Sequence, residues 1–110
     1  MNSEASITDF QRRVYEALLC VPKGKVTTYA QLAKAVGCGS PRAVGQALRR
    51  NPFAPEVPCH RVIASDLTIG GFSGQRCGEL IDQKLRLLES EGVTFNQGRL
   101  VDQHCLLLLV

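Results

Sequence analysis

The chain of 110 residues has no Cys-x-x-Cys pair and no signal-peptide-like start. Its cysteines are odd in number and widely scattered, so the spacing favours neither a zinc site nor a disulfide framework. Free thiols are typical of a reducing, intracellular compartment. The apolar run Leu106 to Val110 is far too short to span a bilayer. Because repeats, low-complexity tracts and linkers are also absent, we expect one intracellular domain over residues 1–110.

Composition indicates a globular chain, with 45% hydrophobic and 21% charged residues. The net charge of +3 is unevenly distributed. Residues 12–61 carry nine basic and two acidic side chains, whereas residues 62–110 carry four basic and six acidic ones. This asymmetry is typical of a face that meets a polyanion. A solvated surface with uneven charge fits the composition equally well.

Capping residues and apolar spacing predict a mostly α-helical domain with small β elements. Thr8, Thr28 and Ser40 are the candidate N-caps, and Pro41 takes the favoured first position of its helix. The predicted helices run from the cap at Thr8 to about Val21, from Tyr29 to Val36, from Pro41 to about Arg50, and from about Gly78 or Glu79 to Glu91. The predicted β elements are a short piece at Val26-Thr27, a buried strand at the Cys59-His60 pair, its return through 67–69, and a closing hairpin over 93–101.

The second and third helices, joined by a glycine-containing turn, match a helix-turn-helix. In that motif the second of the two helices, here the one that starts at Pro41, usually enters a nucleic-acid groove with its first residues leading. Val44 and Leu48 are expected to face the core. The small residues Ala43, Gly45 and Ala47 then leave a low outer surface where a duplex could come close. This surface is flanked by Arg42 on one side and by Arg49 or Arg50 on the other. An ordinary helical hairpin, in which the small residues permit close packing, is the alternative.

The segment Val57-Pro58-Cys59-His60-Arg61-Val62-Ile63 places a cysteine directly beside a histidine. A thiol is a strong nucleophile only as the thiolate, and an imidazole can take its proton. Read alone, the pair also fits a small buried residue with no reaction to perform. The later loop Gly70 to Gly74 offers backbone N–H groups, a hydroxyl and an aromatic ring, which suit a nucleobase. A plain glycine-rich hairpin exit is again the alternative.

Together these segments resemble the C-terminal domain of the O⁶-alkylguanine-DNA alkyltransferases over roughly residues 8–98. The signature is Pro58-Cys59-His60-Arg61-Val62. The other matching segments occur in the family's order, and they are Gly24 to Tyr29, Arg42 to Gly45, Asn51-Pro52, Phe72 to Gly74, and Glu89 to Gly92. The resemblance implies a helix-turn-helix, winged-helix-like alkyltransferase domain without the family's N-terminal domain.

The resemblance also implies catalytic roles. Cys59 matches the alkyl acceptor, and His60 matches the histidine that deprotonates it through a bound water. Glu91 matches the acid that orients the imidazole, and Asn51 the asparagine that braces the active-site turn. Tyr29 resembles the tyrosine that helps to extrude the nucleotide and can donate a proton toward the guanine.

For DNA binding, the resemblance implies that Arg42 is a finger that fills the gap left by the flipped nucleotide, with the helix in the minor groove. The other implied DNA contacts are Thr28, Tyr29, Ala43, Gly45, Gln46, Ala47 and Arg49. The implied base pocket is formed by Val62, Gly71, Phe72 and Ser73.

The implied reaction moves an alkyl group from O⁶-alkylguanine in DNA to Cys59, with O⁴-alkylthymine as a second candidate substrate. The thioether product has no facile route back to the thiol, so each molecule acts once. No metal or other cofactor is expected. The expected partner is double-stranded DNA containing alkylated guanine, bound by a monomer, with no membrane association.

Some features depart from the family pattern. Phe72 stands where many members have tyrosine, and the stretch Gln75 to Leu80 is longer than in many relatives. These features and the short length also resemble alkyltransferase-like proteins, which bind alkylated DNA without repairing it and pass it to excision repair. Those proteins lack the acceptor cysteine, whereas Cys59 is present here. Two alternatives come from other functional classes. One is a protein that recognises the lesion without transfer, and the other is a DNA-binding regulator in which alkylation of Cys59 is a signal.

Overall fold

The computed structural model describes residues 7–52, 57–70 and 79–109. Within them lie four α-helices, four two-residue strands and two 3₁₀ turns. The helices are α1 (Asp9–Leu18), α2 (Tyr29–Ala35), α3 (Pro41–Arg49) and α4 (Glu79–Ser90). The strands are β1 (Thr27–Thr28), β2 (Val62–Ile63), β3 (Phe95–Asn96) and β4 (Arg99–Leu100), and the turns span Cys59–Arg61 and Gln103–Cys105. The predicted class, mostly helical with small β elements, is confirmed.

All three predicted N-caps are confirmed. The Thr8 hydroxyl accepts from the Gln11 amide at 3.0 Å, and the Gln11 side chain accepts from the Thr8 amide at 2.9 Å, which completes a capping box. The Thr28 and Ser40 side chains cap α2 and α3 in the same way. The prediction that the first helix reaches Val21 is wrong. It ends at Leu18, and the chain then tightens into three-residue turns before Pro22, which has no N–H and disfavours helix in the residue before it.

Strand pairing differs from the sequence prediction in one respect. The Cys59-His60 pair forms a 3₁₀ turn, and only Val62 and Ile63 are extended. Strand β2 pairs in parallel with β1 and not with the return segment. That segment closes a tight turn in which the Ala64 amide donates to the Thr68 carbonyl at 3.0 Å. The pairing of β2 is non-local, so local turn residues could not reveal it.

Helices α1, α2 and α3 pack against one another around the main core. A second cluster, made of Val26, Ile63, Leu88, Val93 and Leu100, lies under α4 and the hairpin. The predicted closing hairpin is confirmed as the antiparallel pair β3–β4, with Gln97 and Gly98 at positive φ in its turn. Helix α4 ends at Ser90, and Gly92, whose φ of +88° suits glycine, turns the chain so that the Val93 amide closes the cap on the Leu88 carbonyl at 2.9 Å.

The C-terminal segment forms a single parallel β-bridge, between Leu106 and Val26, the residue before β1. The Val26 amide donates to the Cys105 carbonyl at 2.8 Å, and the Leu107 amide donates to the Val26 carbonyl at 2.7 Å. Leu107 and Leu109 of this segment pack against the main core cluster, which includes Val14, Tyr15 and Leu18 of α1. Among the described residues, no helix is long and apolar enough to cross a membrane.

Candidate active site and nucleic-acid interface

Cys59 begins the 3₁₀ turn that leads into β2, and its side chain is half-buried. The Arg61 amide closes this turn on the Pro58 carbonyl at 2.9 Å, and the Cys59 amide donates to the Val57 carbonyl at 2.8 Å. Burial raises the pKa of the Cys59 thiol above its ordinary value, although a hydrogen bond from Asn51 and the charge of Lys84 act in the opposite direction. Most molecules therefore hold a neutral thiol at pH 7. The site needs a base to generate the nucleophile.

His60 and Glu91 form a buried pair next to this thiol. The ring Nε2 lies 3.0 Å from Oε2 of Glu91, and His60 is 5% exposed. A neutral imidazole has one donor and one acceptor nitrogen, so a hydrogen bond from Nε2 to the carboxylate leaves Nδ1 as the acceptor. Nδ1 is the nitrogen that can take a proton from a water molecule.

Arg61 holds Glu91 in place. Its Nε donates to Oε1 at 3.0 Å, its Nη2 donates to Oε2 at 2.8 Å, and its Nη1 donates to the Val21 carbonyl at 2.9 Å. Burial acts to raise the pKa of Glu91, but the hydrogen bonds and charges of Arg61 and His60 bring it below its ordinary value. Glu91 is therefore ionised at neutral pH and orients the imidazole. In the sequence, Arg61 counted toward the basic half that faces a polyanion; the structure corrects this, because Glu91 neutralises it.

Asn51 follows α3 directly and reaches across to the active-site turn. Its Nδ2 donates to the Val57 carbonyl at 3.0 Å, and its side chain also hydrogen-bonds Cys59. The residue thus connects the end of α3 to the reactive thiol. Four of the predicted site residues, Cys59, His60, Glu91 and Asn51, lie together in this region.

Lys84 is a site residue to which the sequence analysis gives no role. It is fully buried on α4, where its Nζ donates to the Val62 carbonyl at 2.8 Å and to the Ile69 carbonyl at 2.6 Å. Burial lowers its pKa to about 7, although a Cys59 thiolate would raise it. The signal in the sequence is a lysine spaced four residues from Leu88 on the apolar face of a helix. Lys84 fixes β2, which carries the predicted base-pocket residue Val62, to the segment that precedes residue 71.

Lys84 should make the stability of the fold depend on pH. A folded-state pKa of about 7 lies well below the ordinary lysine value of about 10.4 in the unfolded chain. Between these two values the unfolded chain binds more protons than the folded chain, so the free energy of unfolding should rise from about pH 7 to about pH 10.4, by at most about 1.4 kcal/mol per pH unit. Below pH 7 both states are protonated and this contribution to the slope vanishes. Urea unfolding across this range would measure the slope.

The matched variants are Lys84→Met and Arg86→Met. Both remove a cation from α4, but Lys84 is fully buried and Arg86 is exposed. Lys84→Met should flatten the profile, and Arg86→Met should leave it unchanged. A slope that survives Lys84→Met would contradict the assignment.

Helix α3 presents one exposed stripe and one buried stripe. Arg42, Gln46 and Arg49 are exposed along one side, and a Cβ built on Gly45 between them would meet no neighbouring atom within 4 Å. Ala43 is half-buried. Of the predicted low outer surface, Gly45 lies between exposed arginines, and Gln46 completes a stripe at i, i+3, i+4 and i+7 spacing from Arg42 to Arg49.

Two predicted DNA contacts are corrected by burial. Ala47 is 3% exposed and belongs to the core with Val44 and Leu48, because positions 44, 47 and 48 share one face of the helix. Thr28 is 6% exposed, and its hydroxyl accepts from the Gln31 amide at 3.1 Å as the cap of α2. Neither side chain is available to a duplex, and neither is proposed as a DNA contact below.

Tyr29 begins α2 and lies half-buried beside Gly70. A Cβ on Gly70 would stand 3.5 Å from the Tyr29 ring and 3.3 Å from the Ala64 amide, and the φ of +72° also favours glycine. Val62 is buried next to the turn that carries Cys59. The other predicted pocket residues, Gly71, Phe72 and Ser73, lie outside the described residues. In the described part of the chain, no group of three or more His, Cys, Asp or Glu side chains could hold a metal ion.

Comparison with protein families gives a match over most of the chain. The model described as "6-O-methylguanine DNA methyltransferase, DNA binding domain" matches residues 9–93. A methylated-DNA–protein-cysteine methyltransferase of Methanothermobacter thermautotrophicus is 46% identical over 87 residues, which are 79% of this chain and 46% of that protein. The protein of the same name from Thermococcus kodakarensis is 50% identical over 88 residues, 79% of this chain and 47% of that protein. The chain spans about half the length of these curated relatives.

Solved structures resemble the chain in two ways. Mycobacterium tuberculosis OGT in complex with DNA gives a TM-score of 0.69 at 44% identity, covering 77% of this chain and 50% of that one. Schizosaccharomyces pombe Atl1, in complex with damaged DNA containing O6-carboxymethylguanine, gives a TM-score of 0.76 at 32% identity, covering 97% of this chain and 98% of that one. The first shares higher identity over half its length, and the second matches nearly end to end.

Proposed function

Because the chain belongs to the family of the 6-O-methylguanine DNA methyltransferase DNA-binding domain, we propose that it repairs alkylated DNA by direct reversal. The alkyl group passes from O⁶-alkylguanine to Cys59, with O⁴-alkylthymine as a second candidate substrate. The observation that carries the proposal is that one turn holds both the Cys59 thiol and His60, whose ring is bonded to the carboxylate of Glu91 after α4. That turn is joined through Asn51 to a helix with an exposed basic stripe.

The chemistry follows from the state of each group. Cys59 is a thiol at rest, so its proton must leave during the reaction. A water molecule carries it to Nδ1 of His60, and Glu91 stabilises the imidazolium that results. The sulfur then attacks the alkyl carbon, the new S–C bond forms as the C–O⁶ bond breaks, and the electron pair leaves with the guanine. The guanine takes a proton, for which Tyr29 is the proposed donor. No cofactor enters this balance, and the thioether ends the reaction after one turnover.

The base must leave the duplex before the thiol can reach its alkyl carbon. Extrusion costs a few kcal/mol, and less for a poorly paired damaged base. The exposed stripe of Arg42, Gly45, Gln46 and Arg49 supplies a low, cationic surface that approaches the duplex, together with Ala43. In this proposal Arg42 fills the vacated position, Tyr29 helps to push the nucleotide out, and Val62 with residues 71–73 receives the base. One copy of the chain acts on one lesion, within a cell compartment that holds DNA.

The direct test is single-turnover transfer of a labelled methyl group from an O⁶-methylguanine duplex to the protein. We expect each protein molecule to accept one methyl group and then to stop, with no second turnover. The DNA should remain intact and contain unmodified guanine at the position of the lesion. A duplex with unmodified guanine is the control. Retention of the label on DNA after saturating binding would refute transfer.

The role of Arg42 gives a separate prediction. Arg42 lies at the start of α3, whereas Arg49 lies in its last turn. Arg42→Ala should cripple the saturated transfer rate on duplex DNA but affect a single-stranded oligonucleotide or the free alkylated base much less, since neither requires opening a stack. Arg49→Ala, a phosphate contact in this proposal, should instead weaken duplex affinity and make its salt dependence shallower. An equal loss of saturated rate on all three substrates would remove Arg42 as the finger.

Lesion recognition without transfer is the second candidate function. It is favoured by the near-complete structural match to S. pombe Atl1 bound to damaged DNA. Cys59, in contact with Asn51 and next to the His60–Glu91 pair, favours transfer instead. The two functions differ in one observable: after exposure to alkylated DNA, a transferase gains the mass of one alkyl group on Cys59, and a recognition protein does not.

A further inference from the structure

Tyr15 is a buried phenol that the proposed reaction does not use. It lies on the inner face of α1 and is 3% exposed. Its hydroxyl donates a 2.7 Å hydrogen bond to the backbone carbonyl of Ala47. Burying a hydroxyl is costly unless it is bonded, and a phenylalanine would fill the same space without that cost. The bond itself is therefore the feature that requires a reason.

The accepting carbonyl belongs to the last turn of α3. Carbonyls in a last turn lack the helical N–H four residues further on. The Arg50 amide reaches Ala47 at 3.2 Å, while the Asn51 amide donates to Leu48 at 3.1 Å. Of the two hydrogen bonds that the Ala47 carbonyl accepts, the one from the Tyr15 hydroxyl is thus the shorter. It connects the end of α3 to α1 across 32 residues of sequence.

The end of α3 leads directly into the reactive group. Asn51 donates to the Val57 carbonyl at 3.0 Å and also hydrogen-bonds Cys59. Burial raises the pKa of Tyr15, and the charge of a Cys59 thiolate raises it further, so the phenol lies within electrostatic reach of the thiol. One buried side chain therefore contacts the end of the helix and stands near the group that this end positions.

We propose that Tyr15 is a positioning residue that keeps the reactive thiol aligned with a nucleotide extruded by α3. It acts through Ala47 and Asn51, and it takes no part in proton transfer. The inference rests on the proposed function, because alignment matters only if α3 presents a nucleotide to Cys59. Its loss should therefore affect a substrate held by α3 more than a substrate that diffuses freely into the site.

The test variant is Tyr15→Phe, which keeps the ring and removes the bond. The saturated single-turnover rate on alkylated duplex should fall by about 5- to 20-fold, the range for one lost buried hydrogen bond. The rate with free O⁶-alkylguanine base should stay within about twofold, as should the reaction of Cys59 with iodoacetamide across its pH profile. Backbone amides of residues 48–51 should exchange with solvent faster, because the last turn of α3 has lost a tether.

The control is Leu18→Val, which trims the buried face of the same helix without touching the Tyr15–Ala47 bond. When it lowers the urea midpoint of unfolding as much as Tyr15→Phe does, it should leave the ratio of the duplex rate to the free-base rate unchanged. An unchanged ratio in Tyr15→Phe would reduce Tyr15 to core packing, and a shifted iodoacetamide profile would make it a modulator of thiol ionisation. Either result overturns the proposal. If the wild-type chain transfers no alkyl group, the proposed function fails, and unchanged amide exchange in Tyr15→Phe would then overturn the tether on its own.

Discussion

Cys59→Ser is expected to abolish alkyl transfer while DNA binding persists. A serine hydroxyl ionises far less readily than a thiol, and the oxygen is a poorer nucleophile toward an alkyl carbon. The substitution is nearly isosteric at a half-buried position, and the turn is closed by a backbone bond from the Arg61 amide to the Pro58 carbonyl that the substitution leaves in place. The fold and the α3 stripe should therefore survive. Labelled-methyl transfer measures the first quantity, and a filter-binding titration with alkylated duplex measures the second.

The matched controls are Cys20→Ser and Cys105→Ser. Cys20 is exposed and its thiol hydrogen-bonds the Glu16 carbonyl of α1, whereas Cys105 lies in the C-terminal segment and packs against the second cluster. Both variants should transfer at the wild-type rate. Mass mapping that places the alkyl group on Cys20, Cys38, Cys77 or Cys105 would contradict the assignment of Cys59 as sole acceptor.

Local signals predict the helices well because the forces involved are local. Each N-cap is a side chain that accepts from an amide three residues on, and Pro41 and Gly92 mark the beginning of α3 and the end of α4. The same locality explains the error at Ala47. Residue size suggested an outer position, but helical periodicity places it with Val44 and Leu48, and the periodicity determines burial.

The site itself depends on contacts that sequence spacing does not reveal. His60 and Glu91 are 31 residues apart, and their pairing was expected only from the resemblance to a family. Lys84 and Tyr15 bind backbone carbonyls, which carry no side-chain signal, across 22 and 32 residues respectively. A buried lysine or phenol is visible in the sequence as a polar group on an apolar face. Its partner becomes visible only when the chain is folded.

The electrostatics of the site give the thiol little reactivity in the absence of a bound lesion. Burial raises the pKa of Cys59, whereas Asn51 and Lys84 oppose that effect only in part. A resting thiol is protected from oxidants and stray electrophiles, since the thiolate is the reactive form. This protection is useful to a molecule that, in the proposed function, reacts only once. The consequence is that proton removal must occur within the complex, and the rate depends on the base.

His60→Ala and Glu91→Gln should therefore slow transfer far more than they weaken DNA binding. His60→Ala removes the proposed base, whose help is typically worth about 10²- to 10⁴-fold. Glu91→Gln keeps the shape of the side chain but removes the charge that stabilises an imidazolium, and it leaves Arg61, which donates two hydrogen bonds to Glu91, without a countercharge. Single-turnover rates at saturating alkylated duplex, measured from about pH 6 to about pH 9, would quantify both effects.

Raising the pH distinguishes the relay from a structural role. Where the base is missing, hydroxide can remove the thiol proton directly, so the rate of His60→Ala should climb with pH toward that of the wild type. The steep part should lie above the ordinary thiol range of about 8.5, because burial raises the pKa of Cys59. A variant that has merely lost its fold would show no such recovery, and circular dichroism at each pH would identify it. Wild-type single-turnover rates at neutral pH in either variant would eliminate the relay and leave the His60–Glu91–Arg61 group as a structural element of the turn.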